Sequence, residues 1–322
     1  MVKNQAATDS GNPLYRSSGG RRHQGVVLVI ASVALVVGLA IPAMSIAQQF
    51  WIALVPIGFF GLSHGGADPT ILKKLTATSP GGFLGVLCLY LVTSLIFVAL
   101  IWQLPVLALL VFLGLSAWHF GYTDEAFLSP TKNLLLRWLS GSTPILGPML
   151  GHPQQTSELF AWLIKVEPAA VQDLLVWVAP SLALVWLLGF VQLLLGNARR
   201  PDVRTLAELL LVGAAMIALP PLLGFAFYFC AIHSVRHFIS IAEHRLMTSR
   251  KRVFARFPTR KILPATLGAI AIAGGAWVMI VLLEPSSNLL VEAVRVMFWA
   301  LAALTLPHAI IVRLWWNRSQ NG

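Results

Sequence analysis

The sequence predicts an all-α polytopic transmembrane helix bundle of about 8–10 spans, on three observations: scarce charge, recurrent long apolar runs, and basic residues gathered in alternate loops. Only 11% of the 322 residues are charged while 57% are hydrophobic, against roughly 25% charged in soluble domains, so lipid is the main solvent. The apolar runs recur along the whole chain, and about 20 residues at ~1.5 Å rise cross ~30 Å of hydrocarbon. They are continuous rather than alternating, so of the two structures that satisfy every backbone group in lipid, helices and closed barrels, they read as helices.

Taken in order, residues 1–24 are polar with Gly and Ser clusters and are expected to be a disordered cytoplasmic segment. Residues 25–316 are expected to form one transmembrane helical domain, and residues 317–322 a polar tail. Within the domain, spans are expected over Val26–Ala47, Phe50–Leu62, Phe83–Trp102, Pro105–His119, Leu134–Leu150, Leu174–Leu195, Thr205–Leu222, Leu223–Ala242, Ile262–Leu283 and Leu289–Val312. The first is too long for a signal core and is followed by more spans. The second and fourth are short. The fifth carries Ser140-Gly141-Ser142-Thr143-Pro144, which also suits a re-entrant or interfacial segment, and Pro220-Pro221 separates the seventh from the eighth.

Charge supports this layout. With the N-terminus inside, all of the 23 Lys and Arg except Lys165, Arg236 and Arg295 fall on cytoplasmic segments, so an even number of spans with both termini cytoplasmic is expected. The net charge of +11 then reflects topology rather than a nucleic-acid-binding patch, because the basic residues are spread over short loops. The run Arg245–Lys261 reads as a topogenic loop that also suits anionic headgroups. Cys88 and Cys230 both lie in apolar runs and read as packing residues, which argues against a disulfide framework or a cysteine-based metal site.

Ionisable residues inside spans are costly and are therefore candidates for function. Under this topology the second, fourth, eighth and tenth spans run outside to inside. His64 and His119 then fall at the cytoplasmic boundary, His308 about one turn inside it, and His237 and His233 roughly one and two turns in. Five of the eight histidines thus share one half of the bilayer, as a single site fed by several helices requires. His233 and His237 have i,i+4 spacing, which puts both imidazoles on one helical face. His64 and His119 each precede a glycine and stand four or five residues before an acid. Those acids, Asp68 and Asp124, suit the second ring N–H of a ligating imidazole. Arg236 points to a different face and is expected to pair with Asp68, Asp124 or Glu243; a guanidinium has no lone pair with which to bind a metal. Imidazoles without thiolates suit iron, copper, zinc or nickel, with ferrous iron the usual route to activating oxygen, and a sphere including the carboxylates stays open.

At these residues the sequence resembles the Brp/Blh family of bacterial and archaeal membrane β-carotene dioxygenases that form retinal. The resemblance runs from about Phe50 to Leu314 and rests on an ordered set: His64-Gly-x-x-Asp68, His119-Phe-Gly-x-x-Asp124, His233-Ser-x-x-His237 and Pro307-His308. The first motif departs slightly, with Gly66-Ala67 where alanine directly after the first glycine is expected. The resemblance implies Fe(2+) held by His64, His119, His233 and His237, with His308 a further family histidine, and oxygen-dependent scission of the central 15,15′ double bond of β-carotene into two retinals. The 25–316 domain is then catalytic. Trp118, Phe120, Tyr122, Phe227, Tyr228 and Phe229 are candidates to line a channel for flat conjugated carbons, helix packing being their ordinary role. β-Carotene, molecular oxygen and membrane lipids are the expected partners in the cell inner (plasma) membrane, with no nucleic acid and with a retinal-binding rhodopsin as a downstream user. Another membrane iron oxidase acting on lipid, a haem-binding electron carrier, or a non-catalytic metal or carotenoid carrier are the rival classes.

Overall fold

The computed structural model describes residues 12–77, 82–196, 201–243, 259–285 and 288–321. Among these residues every regular element is helical, and eight helical stretches are long and apolar enough to cross a bilayer: Ser18–Ala40, Ile46–Leu75, Gly82–Gln103, Pro105–Leu128, Pro168–Leu195, Pro221–Ala242, Ile262–Leu283 and Leu289–Trp316. The chain is a multi-pass membrane protein. Several of these stretches turn most of their surface outward, α6 (Gly82–Gln103) and α14 (Thr259–Leu283) most of all. Large apolar side chains such as Leu95 and Ile272 are exposed there, as expected where the surroundings are hydrocarbon.

The N-terminal expectation is corrected in part. Residues 1–11 lie outside the described residues, but from Pro13 the chain is helical, as α1 (Pro13–Arg16) and α2 (Ser18–Ala40). Leu14 is buried against Phe127, Ile239, Val312 and Trp316. Asn12 donates to the carbonyls of Ser129 and Pro130, and the Tyr15 hydroxyl donates to Asp202 at 2.8 Å. One well-placed leucine and a few hydrogen bonds thus order a segment that composition alone marks as polar. At the other end α15 (Leu289–Asn321) continues as helix through the expected tail. The expected basic loop lies largely outside the described residues.

Two expected short spans are longer than the apolar count suggested. The second is part of Ile46–Leu75, built from α3 (Ile46–Pro56), α4 (Leu62–Gly65) and α5 (Asp68–Leu75), and the fourth continues to Leu128 as α7 (Pro105–Leu128). His64 and His119 therefore sit inside helical stretches and not at their ends, because buried polar residues beyond them are paired within the protein and can extend the helix.

The fifth and seventh expected spans are α8 (Leu134–Gly151) and α11 (Val203–Ala218), which fall short of the eight in length or apolarity. The two nevertheless start together at the end of α7 and end beside each other. Thr205 at the start of α11 donates to the Leu128 carbonyl at the end of α7 at 2.8 Å, and His152, after α8, lies 3.3 Å from the Ala218 carbonyl at the end of α11. They tolerate polar residues because they are enclosed by α2, α7 and α10 (Pro168–Leu195). Small residues set the spacing of this seam, as is usual where lipid supplies no hydrophobic drive between helices. A Cβ on Gly141 would stand 2.0 Å from the Ala117 carbonyl oxygen of α7. Gly141→Val is expected to lower stability by ~3 kcal/mol or more, as forced overpacking does, whereas Gly114→Val, with open space around it, leaves it unchanged; thermal unfolding of the purified protein in detergent checks both.

Candidate metal centre and its apolar slot

Two local irregularities aim the candidate residues. Past Pro56, α3 opens into a π-helical turn, Ile57–Gly61, just before His64. α12 (Pro221–Ala226) likewise opens into a π-helical turn, Phe227–His233, before α13 (Ser234–Glu243). Such turns insert one residue into the helical ladder, rotate the residues beyond them, and occur often at functional sites. The Leu62 N–H bonds the Ile57 carbonyl and the Ser234 N–H bonds that of Phe229, both five residues back. The two turns pack directly on each other. A Cβ on Gly61 would meet the Phe229 ring at 2.5 Å, so glycine is what allows the two histidine-bearing segments to close up.

The result is a cluster of five buried imidazoles from four membrane stretches. The His64 ring lies 5.3, 5.5 and 4.8 Å, centroid to centroid, from those of His233, His237 and His308. His119 lies 4.9 Å from His233 and 5.1 Å from His308, and His237 is 5.2 Å from His308. The tightest group is His64, His119 and His233, with one ring nitrogen from each within 4.8 Å of the others. His237 stands behind them, although it shares a face with His233.

Hydrogen bonding fixes two tautomers. The Gly61 carbonyl accepts from His64 Nδ1, and the Asp68 carboxylate accepts from His308 Nδ1 at 2.9 Å, so each ring presents a lone pair at Nε2. Asp68 thus orients an imidazole, but that of His308 rather than its sequence neighbour His64. The Tyr90 hydroxyl of α6 donates to the second Asp68 oxygen at 3.1 Å. Six of the remaining ring nitrogens are buried and bare: His119 Nε2, both nitrogens of His233, both of His237, and His308 Nε2 have no partner. Among the described residues only one other buried imidazole nitrogen, His23 Nε2, shares that condition. A buried polar nitrogen without a partner costs ~1–3 kcal/mol. A cluster of them with lone pairs converging is the donor set that an N-ligated metal ion satisfies, so these residues fit such an ion.

Asp124 does something other than expected. Arg236 Nη1 lies 2.7 Å from Asp124 Oδ1, its Nη2 pairs with Glu208 of α11, and the Tyr228 hydroxyl donates to Asp124 Oδ2 at 2.6 Å. No imidazole among the described residues bonds Asp124. Of the three partners expected for Arg236, Asp124 is met; Asp68 is engaged by His308, and the side chain of Glu243 lies outside the described residues. Arg236 is only 1% exposed and turns away from the imidazoles, holding the helix between His233 and His237 against α7 and α11.

The imidazoles close one end of an apolar cavity of about 800 Å³ lined by α6, α7, α14 and α15, with His64, His119, His233 and His308 in its wall and His237 outside it. Of the six aromatic residues expected to line a channel, Phe120 and Phe229 do. Phe120 lies 4.7 Å from the His233 ring and Phe229 5.0 Å from that of His64. Trp118, Tyr122, Phe227 and Tyr228 are outside the wall, and that expectation is corrected. On α7 the lining positions are Phe112, Ser116, His119 and Phe120, the i, i+4, i+7, i+8 stripe of a helix. Trp118 and Tyr122 fall on another face, stacked on each other at 5.9 Å. Tyr228 spends its hydroxyl on Asp124.

Sequence reading missed Glu208 and Tyr90. Glu208 carried a usable signal, an acid within an expected span; a lone tyrosine such as Tyr90 carries none. Arg236→Leu leaves Asp124 and Glu208 facing each other without a cation. The expected loss is ~3–5 kcal/mol, as when one partner of a buried pair is removed, read as a fall in the thermal midpoint in detergent.

Comparison with known proteins agrees with the histidine pattern. The chain is 30% identical over 273 residues to the beta-carotene 15,15'-dioxygenase of uncultured marine bacterium 66A03, an alignment covering 81% of this chain and 92% of that protein. It is 28% identical over 327 aligned positions to the probable beta-carotene 15,15'-dioxygenase Blh of Halobacterium salinarum, covering 92% of this chain and 91% of the relative. No solved structure matches. A family profile described as Beta-carotene 15,15'-dioxygenase matches residues 55–316, and the chain belongs to that family.

Proposed function

We propose that this protein cleaves the central 15,15′ double bond of β-carotene with molecular oxygen, giving two retinals, at a ferrous ion held by His64, His119, His233 and His237. His308, whose Nε2 faces the same rings, stands ready as a further nitrogen donor. The observation that carries the reading is the placement of five buried imidazoles, most of their nitrogens bare, at one end of a cavity with almost wholly apolar walls. The names of the relatives supply the substrate.

The balance of the reaction suits these surroundings. One C=C and one O–O bond break and two C=O bonds form, so both oxygen atoms leave in product and neither a reductant nor a proton donor is required. When bound, ferrous iron supplies the open-shell centre at which oxygen is activated. The residues of the chain do the rest. The Gly61 carbonyl and Asp68 hold His64 and His308 in fixed tautomers. Phe120 and Phe229 give flat apolar surfaces beside the imidazoles, against which a polyene can lie. The apolar walls hold substrate against the centre, so proximity replaces a chance encounter. The family origin and the apolar helices favour a cell inner (plasma) membrane with both termini cytoplasmic.

Production of the protein in cells accumulating β-carotene should bleach their colour and yield retinal, with one iron per chain in purified protein. Persistent pigment alongside folded, iron-loaded protein refutes the substrate, and two irons per chain refute the single-ion site. His119→Ala and His233→Ala should lose most of the iron, by elemental analysis, together with retinal formation. Asp68→Ala removes the acceptor that orients His308 and is expected to cost ~10–100-fold in iron affinity or activity, read by titration of the iron-free protein and by product assay.

A further inference from the structure

The cavity is a slot with one open side. Its walls are the facing stripes of α6 and α14 and its floor is α15. On α14 the lining positions run from Ala265 to Ile280, on α6 from Leu87 to Trp102, each about 22 Å at ~1.5 Å per residue. Both follow one face at helical spacing. α14 packs on α15 and α15 on α6, but α6 and α14 share no extended seam among the described residues. Five side chains in the slot wall are also strongly exposed: Leu91 54%, Leu95 67%, Trp102 58%, Ile272 76% and Met279 56%. Residues that belong both to the inside of a cavity and to the lipid-facing surface mark its mouth.

The slot makes little polar demand along its length. Ser94 and Thr305 turn their hydroxyls back to the carbonyls of Tyr90 and Leu301, and Tyr90 gives its own to Asp68. Among the described lining residues, the fully buried polar atoms without a partner are the nitrogens of His119, His233 and His308, at the inner end. On the α14 side the wall includes the small residues Ala265, Gly268, Ala269, Ala273 and Ala276, which take up little of the space between the helices.

We propose that the gap between α6 and α14 is the entrance by which the polyene passes sideways from the bilayer to the imidazoles, lying along the helices as it does so. This rests on the cleavage of β-carotene proposed for the site. A long apolar chain taking this route never leaves a hydrocarbon environment, so entry carries no cost of transfer through water.

The full-length protein in lipid vesicles containing β-carotene tests it. Ala273→Trp and Ala276→Trp fill the gap from α14, and Leu95→Trp fills it from α6; iron content equal to wild type shows that each variant folds. Each is expected to lower kcat/KM at least tenfold and to weaken anaerobic binding of β-carotene, read from the shift of its visible absorption, to the same extent. Ala271→Trp, on the exposed lipid face of α14 outside the slot, should match wild type. Undiminished cleavage and binding in the three slot variants overturn the entrance, as does an equal loss in Ala271→Trp. Failure of the wild-type protein to cleave β-carotene overturns the reaction instead, and the anaerobic binding comparison still reads the slot.

Discussion

The constraint on which the structure depends is that a polar group carried into hydrocarbon must find a partner inside the protein. Hydroxyls in the spans obey it by turning to a carbonyl three to five residues back, as Ser94, Thr143 and Ser240 do. Charges obey it by pairing: Arg236 is enclosed by Asp124, Glu208 and the Tyr228 hydroxyl, and Arg295 is met by Glu292 and the Trp162 carbonyl. Against that background the bare nitrogens of His119, His233, His237 and His308 are the densest group of exceptions among the described residues, and a concentration of this kind is where a bound ion would be accommodated.

The arrangement separates two tasks that a membrane enzyme must combine. On one side of the imidazoles, the Arg236 network ties α7, α11 and α13 into a fixed polar wall, with α8 seated against α7 through glycine contacts. On the other, α6 and α14 stand apart and present apolar side chains. A rigid side can hold ring nitrogens in place, while a loosely joined side can part for a long, stiff hydrocarbon. Asp68 sits at the junction, held to the polar side by His308 and to α6 by Tyr90.

How much of this was legible in the sequence differs from element to element. The helical class and most spans follow from apolar run length, a one-dimensional property that lipid thickness reads directly. The motif histidines were legible because an ionisable residue in an apolar run is conspicuous. The end of a span was less so: α7 runs past His119 through Thr123, Asp124 and Glu125, all buried, because Thr123 donates to the His119 carbonyl while Arg236 of α13 and Arg137 of α8 pair Asp124 and Glu125. Leu14 ordering the N-terminal segment belongs to the same class of surprise.

By itself, then, the sequence determined that the chain spans a membrane as helices and which nitrogens are available at one depth, since composition, periodicity and the rise per residue are local. Only the tertiary structure decided which residue answers which: that Asp68 orients His308 and not His64, that Asp124 serves Arg236, that His237 stands behind His233 despite sharing its face, and that α6 and α14 leave a gap. These depend on how helices are rotated about their own axes. Two π-helical turns and a few glycine contacts set those rotations, and neither leaves a readable period in the sequence.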